Sequence, residues 1–279
     1  MDRNDVFVYA SGMANELGPR DLYYDPGVRL LFMMRRRLWK WNFDNLNAPF
    51  WRLYWNSAPG AVIRHGARSV ELTPDRIFLL SPNTTISMRL VHSPVIHFYA
   101  HFLVNSPYNR LKGKIYSFKA ERNMLEMLKG LKTSDEDHLT GRIDLVLAIR
   151  GLIHRLLSKV PPEDLRTLLV SPQLAKCMAF IESEARHAIS YSDIARIMGL
   201  SARAMARRFE NELGMSPLAY QRQKRIENAC ALLYDREKSI KQIAEETGFY
   251  DRYHFTKVFT AITGQSPARF RDVKNAFLS

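Results

Sequence analysis

Arg203 and Arg207 stand four residues apart, interleaved with Met205 and Phe209, which are also four apart. On a helix that spacing sends the apolar pair to one face and the two guanidinium groups to the other. Fifty residues on, Phe255 and Phe259 repeat the apolar pair, and Tyr253 and Lys257 take the outer face, flanked by Arg252 and Thr256. A guanidinium is a rigid, permanently charged fork of donors that matches carboxylates, phosphates and the acceptor edges of purine bases. Acidic residues are absent from both stretches until Glu210, apart from Asp251 at the start of the later one. A charge run is usually a solvated face, but the same outward basicity on two equivalent helices favours contact with nucleic acid.

Residues suited to catalysis are sparser. Cys177 and Cys230 are the only cysteines of the 279 residues. Each falls on an apolar stripe, Cys177 with Leu174 and Ile181, Cys230 with Ile226 and Leu233, so both are expected to pack rather than react. Two cysteines exclude a disulfide framework and a four-cysteine zinc site, and they suit a reducing compartment. His92, His97 and His101 invite a metal reading, because His97, Tyr99 and His101 share one face of a strand. The wider pattern of histidines and a glutamate that a metal site needs is missing, so ordinary packed histidines are expected, with no metal, no cofactor and no catalytic residue.

Trp39, Trp41, Trp51 and Trp55, all the tryptophans in the chain, fall close together. Their faces could line an effector pocket, with Arg52 or Arg64 orienting the polar groups of a sugar or sugar acid. A filled core is the simpler account of four neighbouring tryptophans. The net charge of +13 favours a polyanionic partner, though the excess is spread over both halves of the chain. The N-terminus lacks the basic start and apolar run of a signal peptide, and no apolar stretch is long enough to span a bilayer, so a cytoplasmic protein is expected.

These side chains need elements to hold them, and the chain reads as two domains. From Leu30 to Val104 short apolar runs such as FWRLYW, AVIRHGARSVEL, DRIFLLSP and VIHFYAHFLV are broken by turn residues, which predicts a β-sandwich or barrel. Residues 121–132 and 139–159 then read as helices. In the second, Leu145, Ile149, Leu152 and Leu156 follow coiled-coil spacing, and Ile143, Val146, Ile153 and Leu157 form another apolar row. Two rows require two packing partners, the strand domain and either a second protomer or more of the same chain. Pro161-Pro162 ends that helix, which puts a linker at 161–171 between domains at 1–160 and 172–279.

The second domain contains an internal repeat. Ser190, Ile194, Ala195 and Gly199 return as Ser239, Ile243, Ala244 and Gly248, and Phe209, Gly214, Ser216 and Pro217 return as Phe259, Gly264, Ser266 and Pro267. Ser190 with Asp193, and Ser239 with Gln242, fit capping boxes, and Gly199 and Gly248 fit the tight turn between two helices. Each copy therefore reads as helix, turn, helix, the second having gained one residue after its first glycine.

At this point the chain resembles the AraC/XylS transcription regulators. The resemblance rests on Ile240, Ile243-Ala244, Gly248-Phe249, Asp251, Phe255, Phe259, Gly264, Ser266-Pro267 and Phe270-Arg271. Pro217, Tyr220, Arg225, Ala229 and Leu232-Leu233 carry the bridging pattern. His254 departs from it, standing where the family usually has tyrosine. The resemblance covers Pro172 to Arg271 and implies an α+β chain: an N-terminal cupin-like effector-binding barrel followed by helices, then an all-α domain with two helix-turn-helix units. It implies two second helices entering successive major grooves of double-stranded DNA, and RNA polymerase, a small effector and a second copy of the chain as partners. Arg203, Arg207, Arg252 and Tyr253 are expected to read bases. Arg208, Thr256, Lys257 and the helix starts at Ser190 and Ser239 also belong to the expected DNA surface, with Arg208, Lys257 and the helix starts on phosphates. The rival expectation is a metal-dependent cupin-type enzyme with an accessory DNA-binding module.

Overall fold

The computed structural model describes residues 27–92, 94–131, 143–166, 170–235 and 237–276. Strand β3 (Trp51–Asn56) is buried at every position. Neighbouring side chains on a strand point to opposite faces, so a wholly buried strand needs cover on both. Trp51, Leu53 and Trp55 enter one apolar cluster, and Tyr54 enters another.

The surrounding architecture supplies both covers. A five-stranded antiparallel sheet runs β1 (Arg29–Leu38), β8 (Val95–Leu103), β3, β6 (Arg76–Leu80), β9 (Ile115–Lys119). A four-stranded sheet runs β2 (Phe43–Leu46), β7 (Ile86–Leu90), β4 (Ala61–His65), β5 (Arg68–Glu71). Between the sheets lie Phe32, Phe78, Leu80 and Tyr99 from the first and Ile63, Ile86 and Met88 from the second. The far face of the five-stranded sheet packs against helices α1 (Arg122–Gly130) and α2 (Ile143–Leu157). The fold class is α+β, as expected, with a cupin-like N-terminal half. The β4–β5 hairpin turns at His65-Gly66, where Gly66 has φ of 57°. Strand β9 lies beyond the stretch whose patterning marks strands.

The expected coiled-coil seam is covered within the chain. Leu145, Ile149, Leu152 and Leu156 are buried in their own chain, and Ile153 and Leu157 of the other row join the same cluster. The sheet and α1 cover the first row and most of the second, while Ile143 and Leu147 are left exposed. The predicted start of this helix at Leu139 lies outside the described residues.

Helix α3 (Pro162–Arg166) falls in the stretch expected to be a linker. Its Asp164 accepts from Lys114 Nζ at 2.7 Å and from the Tyr116 hydroxyl at 2.8 Å, which ties it to the barrel. The remaining helices are α4 (Pro172–Ser183), α5 (Tyr191–Met198), α6 (Ala202–Leu213), α7 (Pro217–Leu232), α8 (Ile240–Glu246), α9 (Arg252–Thr263) and α10 (Pro267–Ala276). Both predicted capping boxes form, at Ser190 with Asp193 and at Ser239 with Gln242. Cys177 and Cys230 are buried, and burial pushes both thiols up.

The two halves pack against each other. Leu31, Ala48 and Phe50 of the barrel share an apolar cluster with Ile226, Phe255 and Phe270. Arg29 Nη2 donates to Asn228 Oδ1 at 2.8 Å, and Arg110 Nη2 donates to the carbonyl of Glu212, in the last turn of α6, at 2.7 Å.

Candidate nucleic-acid interface

Helices α6 and α9 are each anchored by their buried faces, which sets what the other face can offer. Met205 and Phe209 hold α6, Phe255 and Phe259 hold α9, and all four are fully buried. Arg203, Arg207, Arg252 and Lys257 are exposed, and among the described residues no carboxylate forms an ion pair with any of them. Arg208 differs, since its Nε lies 3.4 Å from Glu212 and part of its charge is already answered. Tyr253 is 82% exposed and Thr256 is half-buried beside it. Tyr250, just before the N-cap Asp251, is 97% exposed, although its type and spacing do not single it out. An aromatic ring left in water at the start of a basic helix is an unspent contact surface. Its signal was its place in the one-residue insertion that distinguishes the second unit.

The helix starts carry the expected caps. The hydroxyls of Ser190 and Ser239 accept from the backbone N-H of Asp193 and Gln242, so their side chains are spent on capping while the residues stay at the surface. The Asp251 side chain caps α9 by accepting from His254 N at 2.8 Å. The His254 ring meets Phe249 edge to face at 5.6 Å, a packing role for the residue that departs from the family pattern.

Helix α7 fixes the two units relative to each other. Arg225 donates to three carbonyls: Nε to Ala185 at 2.6 Å, Nη2 to His187 at 2.8 Å and Nη1 to Gly248 at 2.6 Å. One guanidinium thereby ties the loop before α5 to the turn between α8 and α9. Gln221 Nε2 adds a bond to the His187 carbonyl at 2.7 Å. Arg225 was matched as part of a motif, but its clamping role needs the tertiary fold to be seen.

In the barrel, His97 Nδ1 and Asn56 Oδ1 bond at 2.6 Å, and the His97 ring lies 4.8 Å from that of Trp41. Burial, aided by the Arg36 charge, lowers the His97 pKa to about 3. His101 Nδ1 bonds the Tyr234 hydroxyl at 2.5 Å, across the boundary between the two halves. Among the described residues no three His, Cys, Asp or Glu side chains are grouped to hold a metal.

The four tryptophans do not surround one space. Trp41 lies between the sheets, Trp51 and Trp55 point the other way toward α2, and Trp39 is 67% exposed. The indole N-H groups of Trp51 and Trp55 donate to the carbonyls of Tyr108 and Pro74. Closeness in sequence does not bring side chains together on strands, where face and strand order decide. Arg64 is exposed on β4. Arg52 points from the other face of β3 into a cavity of about 40 Å³ between the halves, lined by Phe32, Arg52, Tyr54 and His101 on one side and by Tyr234 and Phe270 on the other. Tyr234 and Phe270 were not foreseen, because the cavity exists only where the two domains meet.

The comparisons with known proteins concentrate on the helical half. Residues 194–272 match a family described as a helix-turn-helix domain. The uncharacterized HTH-type transcriptional regulator YfiF of Bacillus subtilis strain 168 is 36% identical over 103 residues, which are 37% of this chain and 32% of that protein. The arabinose operon regulatory protein of Salmonella typhimurium strain LT2 is 30% identical over 133 residues, 47% of each chain. The matched stretch thus spans about a third to about half of these relatives. ToxT of Vibrio cholerae O395 is similar in fold over 89% of this chain and 98% of its own, with a TM-score of 0.54 at 17% identity. Residues 194–272 thus form a helix-turn-helix domain of the AraC type, similar to that of these transcription regulators.

Proposed function

We propose that this chain is a sequence-specific regulator of transcription that reads double-stranded DNA with α6 and α9 in successive major grooves. The observation that carries this reading is the pair of equivalent helices, each anchored by two buried apolar side chains and each presenting cations that, among the described residues, no carboxylate pairs with. Arg203, Arg207, Arg252 and Tyr253 take base edges, while Arg208, Lys257 and the helix starts at Ser190 and Ser239 lie along phosphates. Thr256 and Tyr250 flank the second set. Residues 172–279 form the reading domain, 161–171 the connection and 1–160 the sensing domain.

The regulator responds to a small effector, a carbohydrate or another organic molecule, held in the cavity between barrel and helices. The likeness in fold to ToxT, which has been solved with an unsaturated fatty acid bound, supports a ligand-responsive reading. Activation is the expected sign of regulation, with RNA polymerase and a second copy of the chain as protein partners and the cytoplasm as its place. No described helix is long and apolar enough to cross a membrane. The rival reading, a metal-dependent cupin-type enzyme, has no relative among these matches to support it.

Footprinting on DNA selected by the purified chain tests the reading. Arg207→Ala lowers affinity by roughly 1–3 kcal/mol at the selected sequence and relaxes base preference under one unit only. Unchanged affinity together with unchanged preference removes Arg207 from the base-reading set.

A further inference from the structure

Helices α6 and α9 differ most in their first turns. Counted from the buried anchors Met205 and Phe209 of α6 and Phe255 and Phe259 of α9, Tyr253 stands where α6 has Arg203, and Lys257 where it has Arg207. The backbone also locates the residue that the second unit has gained. Leu200 N bonds the Ala195 carbonyl at 3.1 Å and Phe249 N bonds the Ala244 carbonyl at 2.9 Å, which makes Phe249 the counterpart of Leu200. The N-caps Ser201 and Asp251 are counterparts too. Tyr250 is therefore the extra residue, with no equivalent in the first unit.

An apolar residue just before an N-cap ordinarily packs back on the first turns of its helix. Here Phe249 takes the inward role, its ring 5.2 Å from that of Phe255, and Tyr250 is left 97% exposed. Tyr253 is 82% exposed. Two large rings thus stand in water at the end of α9 that a helix-turn-helix unit turns toward base edges. Arg252 and Lys257, exposed on the same helix, give that end the charge a phosphate-walled groove attracts. A phenol carries one hydroxyl and cannot make the paired donor contact that a guanidinium makes with guanine O6 and N7. Its ring offers apolar surface, and the apolar feature of a base edge in the major groove is the C5 methyl of thymine. Phosphate is the poorer partner for the two hydroxyls. Asp251, between them in sequence and capping α9 through His254 N at 2.8 Å, sets a carboxylate against phosphate at this helix start.

We infer that Tyr250 and Tyr253 make α9 a reader of thymine methyl groups, so that the sub-site under the second unit is marked by thymine and the sub-site under Arg203 and Arg207 by guanine. This rests on the reading of α6 and α9 as DNA-reading helices and adds the base that each one selects.

Equilibrium binding of the full chain to the DNA it selects, followed by fluorescence anisotropy at fixed ionic strength with base analogues in place, tests this. Deoxyuridine keeps the hydrogen-bonding edges of thymidine and lacks only the methyl, and 7-deazaguanine lacks only N7. The sub-site under α9 is the one that Arg252→Ala erodes. Deoxyuridine at its contacted thymines weakens binding by about fourfold per methyl, whereas 7-deazaguanine weakens binding in the sub-site under α6. The Tyr250→Ala/Tyr253→Ala chain binds thymine and uracil DNA alike. The Tyr250→Phe/Tyr253→Phe chain keeps the discrimination, because the rings carry it. Both residues lie at the surface, and melting curves establish that each variant is folded. Uracil tolerated at every position of that sub-site, or discrimination that survives loss of both rings, overturns the inference. Affinity lost in the phenylalanine chain while uracil is tolerated assigns the hydroxyls to phosphate and overturns it as well. Selection that enriches no sequence removes the DNA reading beneath the inference, whereas a selected sequence indifferent to uracil removes the inference alone.

Discussion

His97 shows how a residue type that invites ligand chemistry can be committed to packing. Alternation along β8 puts it on one face with Tyr99 and His101, as the sequence implies, and the rings of His97 and Tyr99 stack at 5.4 Å. That the shared face points between two sheets is set by the strand order, which no local pattern records. The consequence is measurable. With the folded pKa near 3 and the ordinary value at 6.5, both states are neutral above pH 6.5, and the contribution of His97 to stability is complete there. As pH falls from 6.5 toward 3 the unfolded chain takes up a proton that the folded chain refuses, so stability is lost across that window. At pH 5 the loss from this residue is about 2 kcal/mol relative to pH 7.5. Urea unfolding at the two pH values, with His97→Asn as the comparison, reads it out: the natural protein loses more stability on acidification than the variant. Equal losses would remove His97 as the cause.

At the scale of elements, the helical repeat was the most legible part of the chain. Caps, small residues, glycines and inward apolar pairs each have a local physical task, so their spacing announces helix, turn and helix before any tertiary contact exists. The two turns nevertheless differ in a way the repeat conceals. Gly199 and Gly248 both take positive φ, 63° and 82°, but a Cβ on Gly199 meets open space, whereas one on Gly248 sits 2.1 Å from the carbonyl oxygen of Arg186. That carbonyl belongs to the loop held by Arg225, so the second turn is part of the seam between the units. Gly199→Ala therefore costs about 1–2 kcal/mol, the strain of a left-handed alanine. Gly248→Ala costs more, because backbone must also move. Thermal melts of the two variants should rank them in that order, and a Gly248→Ala protein as stable as Gly199→Ala contradicts the close approach. The barrel was legible as strands but not as faces: Trp51 and Arg52 are adjacent in sequence, yet one packs toward α2 and the other toward the cavity.

For the whole molecule, the least legible feature is the meeting of the two halves, since periodicity reports that a surface is apolar and not which surface covers it. Phe50 and Leu31 of the barrel lie with Phe270 and Ile226 of the helical half, and Tyr234 reaches His101, so the two halves share side chains rather than a bare hinge. Within the helical half, the Arg225 tie joins the two helix-turn-helix units, and on the proposed function a fixed arrangement of α6 and α9 demands a fixed spacing in the DNA. Selection of bound sequences from random DNA by the purified chain tests this most directly. The account predicts a bipartite motif in which two unlike sub-sites lie about one helical turn, roughly 10 bp, apart. Arg207→Ala then erodes one sub-site and Arg252→Ala the other. A single undivided sub-site that both substitutions weaken alike, or no enriched motif at all, contradicts it.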